Sequence, residues 1–494
     1  MLTIYKSFTA TRISTFIGLV LAVIALGISP IWATVDRWDP VVPRILGDTA
    51  GDVFLRTSLS GDGSTLVVGA NQIYRSPSQP GYARVYTISG STVTQKGADI
   101  VEANAISFGT ATAISRDGSR VAVGAPGNGS PQTGQVMVYD WNAGTSQWTQ
   151  VGSTIAGDAG DFSGSDIAMS DDGSTIIVGA RYNDDVATDA GTARVYDLIA
   201  NSWTQRGADI DGVTAGELAG DDVAISGDGL RVAISATSVG NGKVRVFDWN
   251  GSAWIQQGAD IDGEAASDQF GAAIALSRDG TRLIASAYLN DGVGASSGHV
   301  RVFDWNAGTS QWVQVGADID GVAAGDQFGY DVDITDDGDR ILAGAIYNDA
   351  GGSNAGHVRV YDFVSGSWTQ VGESINGLTA NHNFGSNVSL SGDGQLIAVG
   401  SFDGSTAGDW QGSAGLFAPV VVAPTTPTTP TTTPTTSTTS TTVAPTTTTN
   451  VVNASDRLPD TGASGSSALL GLLMVIGGSS LIVSHRLRAR RING

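Results

Sequence analysis

The sequence predicts an all-β fold: a seven-bladed β-propeller of four-stranded antiparallel blades, its ring closed by an N-terminal strand. A disordered Thr/Pro stalk and a C-terminal transmembrane helix are expected to follow. Three observations lead there. First, an alternating apolar run, then Ser/Thr-x-Asp-Gly, then a second run closing on a small pair recurs from "SLSGDGSTLVVGA" to "SLSGDGQLIAVGS". Its aspartates are Asp62, Asp117, Asp172, Asp228, Asp279, Asp337 and Asp393, at intervals of 55, 55, 56, 51, 58 and 56 residues. Such regular spacing marks a repeat architecture. Second, each copy reads as four short strands, in the fifth copy "FGAAIALS", "RLIASA", "HVRVFDW" and "WVQVGADI". Asp-Gly joins the first two, with Gly taking the positive φ and Asp tolerating it, and "WNAGTSQW" or "WNGSAW" joins the last two. Repeated hairpins favour a propeller over a parallel solenoid, whose coils are shorter and need none. Third, the seventh copy ends at "GSAGLF" without a fourth strand, while "RWDPVVPRILGDTAGDVF" ahead of the first copy aligns with "QWVQVGADIDGVAAGDQF". Residues 38–45 are therefore expected to complete the last blade, leaving no open sheet edge.

Composition agrees. With 67 Gly and only 15% charged residues in 494, the chain suits short strands and many turns. A net charge of −22 argues against a nucleic-acid partner, which requires a positive surface. The absence of cysteine excludes disulfides, thiol nucleophiles and thiolate metal sites together.

Residues 1–33 read as a signal peptide. Lys6 and Arg12 precede the apolar "FIGLVLAVIALGI", and "SPIWA" offers Ala33 at a cleavage position; an uncleaved anchor is the alternative. The propeller is expected over 34–418 and a Thr/Pro-rich stalk over 419–457. Within the stalk, residues 424–449 have no apolar periodicity and cannot bury a core. In a polyproline-like form they would reach roughly 80 Å, and their Thr hydroxyls are candidate O-glycosylation acceptors.

At 458–494 stand "LPDTG" (458–462), an apolar span at 468–484 long enough to cross a bilayer, and a basic tail (485–494) with Arg486, Arg488, Arg490 and Arg491. This order resembles the cell-wall sorting signal of Gram-positive surface proteins. The resemblance implies recognition of Leu458, Pro459, Asp460, Thr461 and Gly462 by sortase and cleavage between Thr461 and Gly462. Thr461 would then be joined covalently to peptidoglycan, while the apolar span holds the precursor in the membrane. Pro459 fixes its own φ and biases Leu458 towards an extended shape, which suits docking. An ordinary single-span protein with a coincidental turn is the alternative.

Phe-Gly opens the first strand at Phe108-Gly109, Phe270-Gly271, Phe328-Gly329 and Phe384-Gly385. Gly-Ala closes the second at Gly69-Ala70, Gly124-Ala125-Pro126, Gly179-Ala180 and Gly344-Ala345. Over 36–418 these residues resemble FG-GAP repeats, the blades of integrin α-subunit propellers and of many bacterial surface proteins. The pattern departs at Leu218-Ala219, Ser235 and Ser286.

Many FG-GAP blades carry an acidic calcium loop in the first hairpin. Most copies here lack its last acid, and only the sixth, with Asp331, Asp333, Asp336, Asp337 and Asp339, gathers enough oxygens for a hard cation. A second candidate is the connection between blades. Asp260 and Asp262 share one side of a strand, with Asp268 able to return to them, and Asp318, Asp320 and Asp326 repeat the arrangement. Ca2+ is thus the one cofactor these residues could hold; plain turns and a solvated acidic rim are the competing reading.

Trp141, Trp148, Trp249, Trp254, Trp305, Trp312 and Trp368 could stack on sugars, but their repeat-equivalent positions point to blade packing. The recurring Arg84, Arg194, Arg245, Arg301 and Arg359, and the paired His299 and His357, read as scaffold by the same logic. No nucleophile with a base, and no convergent acids, break the repeat. The expected function is therefore non-enzymatic: a secreted, wall-anchored protein of a Gram-positive bacterium, displaying its propeller for adhesion to an extracellular protein or glycan. Arg in preference to Lys points to a GC-rich host such as an actinobacterium. Two alternatives stand beside this: a structural wall-layer component, and a surface hydrolase whose chemistry lies in "NQIYRSPSQPGY" or "FDGSTAGDWQGS".

Overall fold

A computed structural model describes residues 34–49, 51–72, 80–127, 132–402 and 411–422. The expected signal peptide, the stretch 424–449 and the sorting signal at 458–494 lie outside the described residues. The described chain forms seven antiparallel sheets. In the fifth blade, Ile274–Leu276, Arg282–Ala287, His299–Asn306 and Gln311–Gln314 pair in sequence order, first strand to fourth. The fourth strand is broken. After Gly316, whose φ is +78°, Ile319–Asp320 pairs with the beginning of the third strand, opposite His299 and Val300. The same break recurs in every blade.

The first strands of successive blades lie side by side around the axis, including those of blades seven and one. Closure follows the sequence expectation. Thr34–Pro40 pairs antiparallel with Ser413–Val422, and Ile45–Leu46 returns to the start of that strand. Because its far end pairs with Thr34, the last strand runs to Val422, beyond the boundary expected at 418.

The core is interleaved between blades. Each apolar cluster joins two neighbours, as where Val244, Val246 and Ile261 of blade four meet Phe270, Leu283 and Phe303 of blade five. The Phe-Gly and Gly-Ala motifs meet at these interfaces. A Cβ on Gly69 would lie 2.2 Å from the carbonyl of Gly109 in the next blade, and Gly109 itself has φ +86°. The glycines thus allow a backbone approach that no side chain tolerates. At the departures, Ser235 and Ser286 accept the amides of Asp222 and Ala273 at 2.9 and 3.0 Å. In blades three and four, Ser163 and Ala219 stand in the phenylalanine position, both buried.

The Ser-x-Asp-Gly segment is a wider turn than a two-residue hairpin. The Ser60 amide bonds the Thr65 carbonyl, and Asp62 Oδ1 accepts from Ser60 Oγ and the Ser64 amide. Gly63 takes φ +69° as expected, whereas Asp62 serves as an acceptor within the turn.

Cations staple blade to blade on this side. Lys96, Arg120, Arg206, Arg231, Arg282 and Arg340 donate to the carbonyls of Gly118, Gly173, Gly229, Gly280, Gly338 and Gly394 in the following blades. At the seven-to-one junction Leu396 takes the arginine's place. Tryptophans tie the outer edge in the opposite direction: Nε1 of Trp148, Trp203, Trp254, Trp312, Trp368 and Trp38 bonds a carbonyl of the preceding blade. Arg340 combines a two-point pair with Asp362, the Gly394 bond and a guanidinium 5.7 Å from the Trp38 ring. Arg340→Ala is therefore expected to lower stability by about 2 kcal/mol, read from urea midpoints. A change within error would show that the staple is ornamental.

Candidate functional site

The two faces differ in regularity. One carries the uniform Ser-x-Asp-Gly turns. The other carries the loops between second and third strands, packed on the blade connections: Asn290 Nδ2 reaches Asp268, and Asn348 Nδ2 reaches Asp326, both at 2.9 Å. These loops occupy 181–191, 288–298 and 346–356 in blades three, five and six, but only 237–242 in blade four. The shortened loop opens a groove of about 310 Å³ lined by Thr214, Glu217, Val239, Gly240, Asn241, Gly242, Lys243 and Asp262.

The groove offers both charges. Glu217, with 1% of its side chain exposed, accepts the amides of Val213 and Thr214 at 2.6 and 3.0 Å and pairs with Arg245 at 3.3 Å. Lys243 Nζ lies 3.2 Å from Asp260. Burial opposes ionisation of Asp260, but hydrogen bonds from Gln256 and Lys243 hold its pKa below the usual value. Amides, a carboxylate and an ammonium along an open groove can hydrogen-bond a polar ligand.

A second polar feature lies on the axis. Four residues before each turn Ser or Thr, the first strands carry Arg56, Ala111, Asp166, Asp222, Ala273, Asp331 and Asn387. Asp166, Asp222 and Asp331 accept the amides of Val223, Ile274 and Val388 in the next blade at 2.9, 2.7 and 2.7 Å, and Asn387 accepts that of Thr57. One layer on, Asp333 and Ser389 hold the amides of Leu390 and Leu59 likewise. Burial pushes the pKa of Asp331 up to about 7 and that of Asp333 to about 6. Burial, Asp166 and Asp331 push that of Asp222 well above its usual value.

The calcium candidates of the sixth copy are thus not brought together. Asp331 and Asp333 latch the next blade from the axis, because the strand directs alternate residues inward. Asp336 pairs with Arg116, Asp337 braces its own turn through Thr335 Oγ1, and Asp339 pairs with Arg282. Of the connection residues, Asp260 is paired with Lys243, Asp268 and Asp326 are buried against Asn290 and Asn348, and Asp262 lines the groove. Asp318 accepts from Gln314 Nε2 at 2.6 Å, and Asp320 is exposed, with its backbone carbonyl bonded to Arg359. The sequence flagged neither Glu217 nor Lys243. The available signal was the 51-residue interval between Asp228 and Asp279, where the loop is cut short.

Residues 148–196 match the FG-GAP repeat. That stretch runs from Trp148, at the outer edge of blade two, through the Asp172 turn into the third strand of blade three. No curated protein matches the chain. Among solved structures it is similar to a functionally unknown protein from Desulfotomaculum acetoxidans DSM 771, at 14% identity and TM-score 0.43, covering 65% of this chain and 88% of that one. A protein from Lactobacillus plantarum aligns at 13% identity and TM-score 0.49 over 73% and 95% of the two chains. U3-55K aligns at 13% and 0.46 over 78% and 98%. The propeller assignment rests on the chain's own seven sheets.

Proposed function

We propose that this chain is a non-enzymatic surface protein of a Gram-positive bacterium, attached to peptidoglycan through Thr461 by sortase. Its propeller would bind an extracellular protein or glycan on the loop face. The order of export segment, Thr/Pro stretch, LPDTG, apolar span and basic tail carries the location. The groove of blade four supports binding there, since that is where the repeat departs from itself and exposes polar groups. Function on a propeller lies in its sites rather than its fold.

Thr461→Ala is expected to move the protein from the wall fraction to membrane and medium. Retention in detergent-extracted walls would overturn the anchoring. Binding is tested separately, on an array of extracellular-matrix proteins and glycans: a hit should weaken when Lys243 and Asp262 are replaced together. A hit indifferent to that change would move the site elsewhere.

A further inference from the structure

In blades one, three and five the beginning of the third strand faces two acids, one on the connection entering the blade and one just before the short returning strand. In blade one, Arg84 clamps both, Asp48 at 2.7 Å and Asp99 at 2.6 Å. In blade three, Arg194 does so with Asp158 at 3.4 Å and Asp209 at 2.8 Å. Blade five keeps the acids, as Glu264 and Asp318, but loses the clamp. Arg301 Nε turns to Gln314 at 2.9 Å and its guanidinium lies 5.0 Å from the Phe303 ring, leaving it 3.8 Å from Asp318.

His299 stands where the clamp is missing. Its Nδ1 is 4.0 Å from Glu264 Oε2 and 3.9 Å from Asp318 Oδ2, beyond hydrogen-bonding reach of both. All three donor atoms lie within 4.8 Å of one another. The imidazole is 1% exposed, and its Nε2 has no hydrogen-bond partner. Burial disfavours protonation of His299 against the pull of Asp318 and Glu264. Metal bonds of about 2.0–2.2 Å place two donors on one ion roughly 3–4 Å apart, so modest side-chain shifts close the set.

We propose that His299, Glu264 and Asp318 bind a divalent transition-metal ion such as Zn2+. The imidazole selects against Ca2+ and Mg2+, which take oxygen ligands throughout. Glu264 is 47% and Asp318 30% exposed, which leaves the outer coordination positions to water or to a ligand group. Blade six supplies an internal control. His357 occupies the equivalent position, also buried with an unpartnered Nε2, but Val322 and Ser374 replace the acids.

The test is calorimetric titration of the untagged full chain, stripped with EDTA, using ZnCl2 and, separately, CaCl2. The wild type is expected to take up one equivalent of Zn2+ and to ignore Ca2+ at the same concentration. Glu264→Gln, at an exposed side chain, and His299→Gln should each weaken Zn2+ binding roughly tenfold or more, whereas His357→Gln should not. Should His299→Gln misfold, Glu264→Gln alone decides. Absence of stoichiometric Zn2+ binding, equal affinity for Ca2+, or binding indifferent to Glu264→Gln would overturn the site.

Discussion

Phe328→Ala is expected to lower the unfolding free energy by about 3–5 kcal/mol. Phe328 is fully buried between blades five and six, against Val300, Val302 and Ile341. Deletion of the ring removes its transfer free energy and leaves a cavity that two hydrogen-bonded sheets cannot close. A second loss follows from Arg359, whose guanidinium lies 4.2 Å from the ring centroid. Burial lowers the Arg359 pKa, its Nε has no partner, and among the described residues no carboxylate lies within ion-pairing distance of it. The buried cation is held instead by the Phe328 face, the more distant Tyr361 ring at 5.5 Å and the Asp320 carbonyl.

Blades three and four show why the same position can be small elsewhere. Where Ser163 and Ala219 replace the ring, the equivalent arginines meet acids instead: Arg194 meets Asp161 and Asp209, and Arg245 meets Glu217. Either a ring or an acid suffices, and Phe328→Ala removes the nearer of the two rings Arg359 has, leaving Tyr361 at 5.5 Å and the Asp320 carbonyl. Urea and thermal unfolding at one pH measure the effect. A loss below about 1 kcal/mol would mean that the interface repacks and that Arg359 finds solvent.

The repeat was legible because a hairpin turn, a close backbone approach and an alternating strand each demand particular residues at fixed spacing. Asp62 and its six equivalents, the recurring Phe-Gly and Gly-Ala pairs, and Trp38 aligned with Trp312 were enough to place the strands and close the ring. What faces what across blades was not legible. Asp331 and Asp333 are close in sequence to Asp337 and Asp339, so they read as one calcium loop, yet the strand between separates axis from turn. His299 and His357 looked alike as scaffold because their register is alike. The difference lies with Glu264 and Asp318, 35 residues before and 19 residues after His299. A repeat hides its sites in the partners, and those come from connections whose spacing the turn motif does not govern.

Asp331→Asn is expected to make stability nearly independent of pH between 5 and 8 at this position, gaining of order 2 kcal/mol over wild type at pH 8 and little at pH 5. Burial raises the folded pKa of Asp331 to about 7 from an ordinary value of 3.8. A carboxyl that holds its proton more tightly when folded stabilises the fold fully below the unfolded pKa. That contribution is lost as pH rises through the folded value, so between about 4 and 7 here. Asp333, raised to about 6, and Asp222, raised well above its ordinary value, add to the same slope. The turn aspartates run the other way: burial opposes ionisation of Asp62, Asp117 and Asp172, but hydrogen bonds lower their pKa, so their contribution disappears as pH falls through the acid range. Wild type should therefore be most stable in mildly acidic solution. Asparagine can replace Asp331 because the Oδ2 it must imitate accepts from Val388 N at 2.7 Å and Asn387 Nδ2 at 2.8 Å, which an amide oxygen also does. Asn387 already performs this role one blade on, accepting the Thr57 amide. The variant forfeits attraction to Arg56 at high pH, which trims the gain without reversing it. Urea midpoints at pH 5, 6, 7 and 8 decide the matter. A variant destabilised equally at every pH would show that the latch depends on carboxylate geometry and that the axial charge is already solvated.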